Sequence, residues 1–376
     1  MHIVHYTSAH PWTSTRIFSK MCVHLAALGH QVSLVAVDRQ AKDLSVFDRD
    51  GVQVHLLPGA HVKGRLARAT QAARATTRYA VGLNPDVMQF HDPELIPYCL
   101  LGVPGRIPVI FDSHENFVDQ IDGKHWARGW RRPVLKSGLR LVRAAINWRA
   151  THILSATDGV RKDYVAAKST VIRNLPILDE INTSTAMPLA QRPREVCYIG
   201  AISRARGIAE MIDALALAGE VGTLHLAGRF SDNALEQEMR ARPGWAKVTY
   251  HGFIDRVAIA DLLGRVRLGL VLLHPTPNHI DSIPIKMLEY LCAGVPTLAS
   301  DFEYWHTFVF EGQTGRLIDP TDIHAIAEAL IDMTSDDAVS HFAQHMTPDV
   351  RMRFSWAEEV RLLDCVYHTC IAKAAT

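Results

Sequence analysis

"SIPIKMLEYLCAGVPTLAS", residues 282–300, joins a helix to a short strand and thereby indicates the fold class. Pro284 suits the first turn of a helix, where its missing N–H costs no hydrogen bond, and Gly294 suits the residue just past a helix end. The apolar strand "PTLAS" follows. Two charged residues, Lys286 and Glu289, lie inside this otherwise apolar helix and need an explanation.

The alternation of strand and helix continues through both halves of the chain. The first half contains the predicted strands "MHIVHYT", "QVSLVAVD", "GVQVHLLP", "PDVMQFHD", "IPVIFDSHEN", "ATHILSAT" and "STVIRNLP", and the second contains "EVCYIGAI", "GTLHLAGRF", "KVTYHGFI", "RLGLVLLHP", "PTLASD" and "TGRLIDP". Helices of the second half are predicted around 207–219, 234–241, 257–264, 284–293 and 322–333. Nearly continuous apolar strands between helices predict an α/β fold of two Rossmann-like, doubly wound parallel-sheet domains facing across a cleft.

A stretch rich in Pro, Thr and Ser, residues 176–194, has no clear hydrophobic period and predicts the linker between the domains. It separates an N-terminal domain, 1–175, from a C-terminal domain, 195–353, of similar size. Residues 354–376 are predicted to form a final helix.

The composition is that of an ordinary globular protein. The chain of 376 residues has a net charge of +1 and is 48% hydrophobic, so nothing global favours nucleic acid. Six cysteines are scattered without a C-x-x-C pair, which is typical of reduced thiols in a cytoplasmic protein. A signal sequence and a membrane-spanning stretch are not expected.

Polar residues follow the strands in "TSAHP", "HDPEL", "DSHEN", "GAISRARG" and "HPTPNHIDS". Ligands of open parallel sheets bind beyond the carboxyl ends of the strands, so these loops are the candidate site. With two such domains, the natural place for a ligand is the cleft between them.

The start of the helix at Pro284 predicts an anion site. Free backbone N–H groups at residues 282–286, the helix dipole and Lys286 all favour a phosphate there. The carboxylate of Glu289 lies a turn further on, where it can accept hydrogen bonds from a ribose, and Asp281 lies just outside. The alternative is a solvated helix face on which Lys286 and Glu289 are neighbours.

These residues resemble the signature of the retaining GT-B glycosyltransferases of family 4. That signature is an acid separated by seven residues from a Glu, and then, further along the chain, a small residue, Gly, any residue and Pro. Asp281 and Glu289 occupy the two acidic positions. The resemblance covers nearly the whole chain and extends to "HYTSAHPWTSTRIFSKMCVHLAALGHQVSLVA", "HDPELIP", "IFDSHENF", "YIGAISRARGI" and "FSWAEEVRLL". It implies that the helix of 354–376 packs back towards the N-terminal domain.

The resemblance implies a donor site in the C-terminal domain. Glu289 should hold the ribose, and Asp281 with the backbone of Ser282 and Ile283 should face the sugar and its phosphate. The diphosphate should be neutralised by Arg206, together with Lys286 or Arg204; the alternative for the two arginines is a pair of solvated loop charges. Loop residues Gly200, Gly228 and Phe253 complete the donor site.

Two residues depart from the family pattern. Asp281 stands where Glu is usual, and Ala201 stands at the first position of the family's basic pair.

The resemblance also implies an acceptor side in the N-terminal domain. His114 should lie near the transferred sugar, and we expect the catalytic residues to be His114, Arg206, Lys286 and Asp281. The expected acceptor-side residues are His10, Arg16, His91, Asp92, Glu94 and Glu115. Since the chain has 20 histidines, a purely structural role is the alternative for each of them, and loop anchoring is the alternative for Arg16.

Two apparent motifs are rejected. "DRD", residues 48–50, imitates a metal-binding Asp-X-Asp motif but is predicted to lie in a turn before a strand, at the wrong end of the sheet. "TSAHPWTST" after the first strand contains no glycine, so a nicotinamide dinucleotide is not expected. No metal and no other cofactor are expected.

A basic segment, residues 123–150, contains eight arginines and lysines, three tryptophans and no acid. It suits an anionic membrane surface, and the alternative is a solvated cationic face with buried tryptophans.

The expected function is retaining transfer of a sugar from a UDP- or GDP-linked donor to an acceptor hydroxyl, in bacterial polysaccharide or glycolipid biosynthesis. The acceptor would be a glycan, a glycolipid or a natural product, and the protein would be cytoplasmic, with the inner face of the plasma membrane as a peripheral location. The alternatives are a sugar-nucleotide epimerase, a phosphorylase or an inactive scaffold of the same fold.

Overall fold

The computed structural model describes residues 1–59, 62, 64–113, 131–181, 187–280 and 282–374. The chain divides into two units. Unit 1 comprises Met1–Asn174 and Glu359–Thr376, and unit 2 comprises Leu175–Glu358.

Unit 1 is built on an eight-stranded sheet in the order β3-β4-β2-β1-β5-β6-β7-β8. The strands are β1 (His2–Tyr6), β2 (Gln31–Asp38), β3 (Ser45–Arg49), β4 (Val52–Pro58), β5 (Val87–Phe90), β6 (Val109–Ser113), β7 (His152–Ser155) and β8 (Ser169–Val171). Its helices are α1 (Val23–Ala27), continuing a π-helical segment at Thr15–Cys22, α2 (Gly64–Ala67), α3 (Ala73–Gly82), α4 (Ile96–Gly102), α5 (Arg131–Arg149) and α6 (Asp158–Arg161). The sheet grows outward in both directions from β1, so the topological switch point lies between β1 and β5.

The antiparallel edge strand β3 was not predicted from the sequence. It pairs with β4 through a two-residue turn, Asp50 and Gly51, both with positive φ (51° and 78°). Asp-Gly between two extended segments is a strong hairpin signal, but the strand is mostly exposed and has no apolar run. The rejected "DRD" motif therefore spans the end of β3 and this turn.

Unit 2 is built on a six-stranded parallel sheet in the order β11-β10-β9-β12-β13-β14. The strands are β9 (Val196–Ile199), β10 (Leu224–Ala227), β11 (Val248–Gly252), β12 (Leu268–Val271), β13 (Thr297–Ser300) and β14 (Gly315–Ile318). The helices are α7 (Ile208–Leu217), α8 (Asn233–Arg240), α9 (Arg256–Leu263), α10 (Pro277–Ile280), α11 (Ile285–Cys292), α12 (Ile323–Met333), α13 (Asp336–His345), α14 (Pro348–Arg353) and α15 (Trp356–Ala374), whose residues from Glu359 onward belong to unit 1. The five predicted helices correspond to α7, α8, α9, α11 and α12.

The sheet of unit 2 is covered on both faces. Successive residues of β9 pack into different apolar clusters, Val196 and Tyr198 into one and Cys197 and Ile199 into the other. Since side chains alternate across a strand, this distribution requires apolar layers above and below the sheet. The parallel α/β architecture predicted from the apolar strands is confirmed for both sheets, apart from β3.

The segment 176–194, predicted as a linker, lies within unit 2. Its residues Ile181 and Leu189 are buried in the two apolar clusters of that unit, and this packing holds the segment to unit 2. Among the described residues, no helix is long and apolar enough to cross a membrane.

Candidate functional site

The switch point of unit 2 lies between β9 and β12, where the strand order reverses. The loop after β9 and the loop after β12 meet there, because the backbone N–H of His274 donates a 2.9 Å hydrogen bond to the carbonyl oxygen of Ala205. In a parallel sheet this crevice is where ligands bind. The residues that line it are therefore the candidate site.

Helix α11 begins beside this crevice. Pro284 has extended backbone angles (φ −71°, ψ 115°) and is the N-cap, so the helix begins at Ile285, one residue later than we predicted. Among the described residues, no side chain caps its first N–H groups. Gly294, with φ of 70°, lies just past the helix end as predicted. The indole Nε1 of Trp305 donates a 2.8 Å hydrogen bond to the carbonyl oxygen of Ser282, which fixes the loop that enters the helix. The helix start thus presents backbone donors from a fixed position.

Lys286 is the buried cation of the site. Its Nζ lies 3.7 Å from the ring centroid of Tyr198, the side chain is 7% exposed, and no hydrogen-bond acceptor contacts Nζ among the described residues. Burial and the neighbouring guanidinium of Arg206 hold the pKa of Lys286 well below its ordinary value. A buried polar atom without a partner needs an explanation, and an anion that binds here would supply one.

Gly200 leaves the space in which Lys286 and Arg206 approach each other. A Cβ on Gly200 would lie 3.3 Å from Nζ of Lys286 and 3.8 Å from Nη1 of Arg206, and its φ of 134° is one that L side chains rarely adopt. The short 3₁₀ turn Arg204–Arg206, ended by left-handed Gly207, carries Arg206 to this position. The structure therefore brings together three of the predicted residues, Gly200, Arg206 and Lys286.

Arg204 is directed elsewhere. Both of its terminal nitrogens donate to the carboxylate of Glu238 on α8, and its side chain is 61% exposed. The structure thus separates the two arginines of the predicted pair, one towards Lys286 and one towards Glu238.

Glu289 is buried, with 8% of its surface exposed. Its Oε1 accepts a 2.6 Å hydrogen bond from Nη1 of Arg256, which also pairs with Glu180 at 3.2 Å. Arg256 is a site residue that our reasoning from sequence missed. Its position in the first turn of α9, shortly after the predicted strand "KVTYHGFI", was the available signal.

Two further predicted residues follow β10 and β11. Gly228 is a glycine because a Cβ there would lie 1.8 Å from the carbonyl oxygen of Gly200. Phe253 is 72% exposed, and the guanidinium of Arg229 lies 5.1 Å from its ring centroid. An exposed aromatic ring at the carboxyl edge of a sheet can stack on a planar base.

In unit 1 two of the predicted acceptor-side residues, Arg16 and His91, belong to a buried network around Asp112. Arg16 binds Asp112 through two hydrogen bonds of 3.1 and 2.7 Å and donates a third to the carbonyl oxygen of Ile172. Nδ1 of His91 lies 3.0 Å from Asp112 and donates to it, because a carboxylate only accepts. The side chains of His91 and Asp112 are fully buried and that of Arg16 nearly so. His91 was predicted on the acceptor side, and its full burial does not fit direct contact with an acceptor.

The network continues towards the C-terminal helix. Nε2 of His91 lies 3.1 Å from Nδ1 of His5, whose Nε2 lies 3.2 Å from the hydroxyl of Tyr367, and this hydroxyl donates to Gln89. Burial and the nearby His91 lower the pKa of His5 well below its ordinary value, and burial raises the pKa of Tyr367 well above its own. Sequence reasoning missed His5, Gln89 and Tyr367, because each lies inside an apolar pattern.

Asp92 and Glu94 hold loops in place. One oxygen of Asp92 accepts from the hydroxyl of Thr7 (2.8 Å) and the backbone N–H of Ser8 (2.7 Å), and Glu94 pairs with Arg68 at 2.6 Å. His10, whose side chain is 41% exposed, lies 3.4 Å from the other oxygen of Asp92. Of the predicted acceptor-side residues described here, His10 is the most exposed.

Several predicted residues lie outside the described residues: His114, Glu115, Asp281 and the part of the basic segment before residue 131. The described part is α5. Its exposed residues Leu141, Ala144 and Trp148 recur at helical spacing and form one stripe, in which Leu141 and Trp148 are 72% and 76% exposed. The alternative interpretation of the segment, a solvated cationic face with buried tryptophans, does not hold for Trp148.

Comparison with known proteins agrees with this architecture. The family model described as glycosyl transferases group 1 matches residues 181–349, and the model of a glycosyl transferase 4-like domain matches residues 14–174. A phosphatidyl-myo-inositol mannosyltransferase of Mycobacterium leprae is 26% identical over 193 residues, which are 50% of this chain and 50% of that protein. The chain spans about half the length of the curated relatives it matches.

Two solved structures share the fold along nearly the whole chain. A sucrose-phosphate synthase of Thermosynechococcus elongatus superposes with a TM-score of 0.71 at 16% identity, covering 99% of both chains. The HepE protein of Anabaena in complex with UDP superposes with a TM-score of 0.70 at 14% identity, covering 98% of this chain and 99% of that chain. At such identities the likeness establishes the fold. With two domain models that together match most of its length and with this fold, the chain belongs to the GT-B glycosyltransferases of the family 4 type.

Proposed function

We propose that the protein transfers a hexose from a nucleoside diphosphate sugar to an acceptor hydroxyl, with retention at the anomeric carbon. The observation that carries the proposal is the unpartnered, buried Nζ of Lys286 beside Arg206, Gly200 and the start of α11. A diphosphate bound there would receive two cationic side chains and the backbone donors of the helix start. It would also give Nζ the acceptor that it lacks among the described residues.

The chemistry of such a site is electrostatic. When the bond between the sugar and the diphosphate breaks, negative charge develops on the leaving group, and donors that are already in place stabilise it most. In the retaining mechanism that we propose, the departing phosphate takes the acceptor proton on the same face of the sugar. Lys286 and Arg206 supply positive charge for this leaving group, and we propose that transfer needs no divalent metal.

The ribose and the base are assigned to the neighbouring residues. Glu289, held by Arg256, would accept hydrogen bonds from the ribose hydroxyls, and Phe253 would stack on the base. UDP is the donor nucleotide to test first, because the Anabaena HepE protein was solved with UDP, and GDP is the second. We propose that the molecule that accepts the sugar binds at the carboxyl edge of the sheet of unit 1, near the exposed His10.

A peripheral location at an anionic membrane surface belongs to the same proposal. It is supported by the stripe of Leu141, Ala144 and Trp148 on α5, a helix rich in arginine and lysine. Such a location suits a lipid-linked acceptor of bacterial polysaccharide or glycolipid synthesis.

Calorimetric titration of UDP, GDP and ADP into the full chain tests the donor site. We expect one of the first two to bind, and Arg206→Ala to weaken that binding about tenfold or more, since hydrogen bonds to charged groups contribute about 1.5–3 kcal/mol. Arg204→Ala is the matched control: it removes the same charge from the same turn, but from a guanidinium that pairs with Glu238. If no nucleotide binds, or if both variants lose the same affinity, the proposed site is wrong.

Retention is tested on the product. Incubation with the identified nucleotide sugar and candidate acceptors, in the presence of a chelator, should give a glycoside whose anomeric coupling constant in NMR matches that of the donor. A product of opposite configuration would contradict the mechanism, and so would activity that the chelator abolishes and that Mg²⁺ or Mn²⁺, but not zinc, restores.

A further inference from the structure

Three potential metal ligands converge at the amino ends of the strands of unit 1, away from the candidate residues of that unit. Nε2 of His30 lies 2.7 Å from Oδ1 of Asp364, and Nε2 of His368 lies 3.7 Å from the same oxygen. The ligand atoms of the three residues all lie within 4.8 Å of one another. Two histidines and a carboxylate are the ligand types of protein zinc sites.

The two separations from Asp364 fit a tetrahedral ion after a small adjustment. With ligand distances of about 2.0–2.2 Å, the ligand atoms around zinc are about 3.3–3.5 Å apart. The His368–Asp364 separation is close to this value, and the His30–Asp364 pair must open by less than 1 Å. His368 is the most exposed of the three, at 64% of its side chain, so its imidazole has room to turn onto an ion.

The local structure prepares this arrangement. Asp364 and His368 are four residues apart on α15, and side chains at this spacing project from the same face of a helix. His30 follows the left-handed Gly29 and directly precedes β2, and its side chain is only 10% exposed. A rigid turn on one side and one helix face on the other leave few degrees of freedom to lose when an ion binds.

A simple ion pair does not account for all three residues. Asp364 and His30 already form a hydrogen bond of 2.7 Å with each other, and this bond does not require the imidazole of His368. His368 adds a third ligand atom on the solvent side, where water can complete the coordination.

We propose that His30, Asp364 and His368 form a zinc site that fastens the C-terminal helix α15 to the sheet of unit 1. Its role is structural. His30 directly precedes the amino end of β2, whereas Asp92 follows β5 and Asp112 lies near the carboxyl end of β6, at the opposite edge of the sheet. The site thus acts independently of donor binding in unit 2.

The test uses the full chain, without a polyhistidine tag and treated with a chelator, titrated with ZnCl₂ by calorimetry. We expect one equivalent to bind and zinc to raise the unfolding temperature. His368→Asn and His30→Asn should each weaken binding at least tenfold. His368→Asn should leave the unfolding temperature of the metal-free protein unchanged, because the side chain is exposed. Co²⁺ in place of zinc should give visible absorption bands in the wild type that His368→Asn removes.

An exposed histidine pair on α13 provides the matched control. His341 and His345 are also four residues apart, with ring centroids separated by 4.4 Å. Among the described residues, however, no third potential metal ligand lies close enough to complete a cluster with them. His345→Asn should leave zinc binding intact. The proposal is wrong if His345→Asn abolishes binding, if His368→Asn binds zinc like the wild type, or if the wild type neither binds zinc nor is stabilised by it.

Discussion

Arg256 donates a 2.6 Å hydrogen bond from Nη1 to Oε1 of Glu289, the buried carboxylate that we assign to the ribose of the donor. Burial lowers the pKa of Arg256, but the pairing with Glu289 and Glu180 more than offsets this effect, so the pKa of Arg256 lies above its ordinary value. The guanidinium therefore pairs with the carboxylate group of Glu289 at a place that is only 8% exposed. It also restricts the orientation of the oxygen that would meet a hydroxyl group.

The first prediction concerns this pair. Glu289→Ala should abolish detectable binding of the donor nucleotide, and Arg256→Gln should weaken it about tenfold, because the carboxylate loses the cation that orients it. Calorimetry with UDP or GDP measures both variants. Arg240→Gln is the control, since it breaks an exposed pair with Glu236 in the same unit. Normal affinity in Glu289→Ala would refute the ribose assignment.

A second prediction concerns stability at Lys286. Lys286→Met should raise the free energy of unfolding at neutral pH by about 1 kcal/mol or more, because an unpartnered buried cation is replaced by an apolar side chain of similar length. The same variant should lose donor binding. Lys247→Met should instead destabilise, since the ammonium of Lys247 donates to three backbone carbonyl oxygens at 3.0–3.2 Å. Urea unfolding of the two variants should thus give opposite signs.

The sign of the pH dependence follows from the same burial. The pKa of Lys286 in the folded protein lies well below 10.5, its ordinary value in an unfolded chain. At a pH between the folded-state pKa and 10.5 the unfolded chain therefore binds more protons than the folded protein, and the free energy of unfolding rises with pH. The stability gained by Lys286→Met should therefore shrink as the pH rises towards 10.5. A gain that does not change between pH 7 and 10 would show that Lys286 keeps the same charge in both states.

A third prediction is that donor binding takes up protons. Nucleotide phosphates favour the charged ammonium, so binding should raise the lowered pKa of Lys286 back towards its ordinary value. Calorimetry in buffers of different ionisation enthalpy should show net proton uptake at mildly alkaline pH, and Lys286→Met should remove it. Equal apparent enthalpies in all buffers would contradict this coupling.

The sequence predicted the parts of the site that depend on local patterns. Pro284 and Gly294 marked the ends of α11 to within one residue, and the alternation of apolar strands with helices predicted both parallel sheets. Lys286 was selected because a cation at a helix start favours phosphate, and Arg206 because the resemblance to family 4 implies it; the structure brings the two together beside Gly200.

Long-range pairing could not be read from the sequence. Arg256 and Glu289 are 33 residues apart, and nothing local indicates that they meet. His91 looked like an exposed residue after a strand, but its imidazole is buried between Asp112 and His5. Tyr367, 278 residues from Gln89, closes this network, so the burial depends on a helix from the other end of the chain.

A fourth prediction tests this buried network. Tyr367→Phe removes the hydroxyl that contacts His5 and Gln89, and should destabilise the protein by about 1–3 kcal/mol, because buried polar groups lose their partner. Tyr79→Phe is the control, since it removes a hydroxyl 3.1 Å from the less buried His55 and should cost less. Urea unfolding measures both. Equal losses in the two variants would show that the network adds nothing beyond one ordinary hydrogen bond.

The last prediction concerns the exposed stripe on α5. Leu141→Ser with Trp148→Ser removes two apolar side chains that are 72% and 76% exposed, and should not destabilise the fold. The double variant should lose binding to vesicles of phosphatidylglycerol and phosphatidylcholine in cosedimentation, and wild type should not bind vesicles of phosphatidylcholine alone. The surface charge has a matched test: Lys136→Gln with Arg140→Gln should weaken binding about thirtyfold, since each basic residue near an anionic surface contributes about 1 kcal/mol. Arg39→Gln with Lys42→Gln removes the same charge from an exposed loop after β2 and should have little effect. If both charge pairs weaken binding equally, attraction is general to the protein and α5 is not the membrane-binding surface.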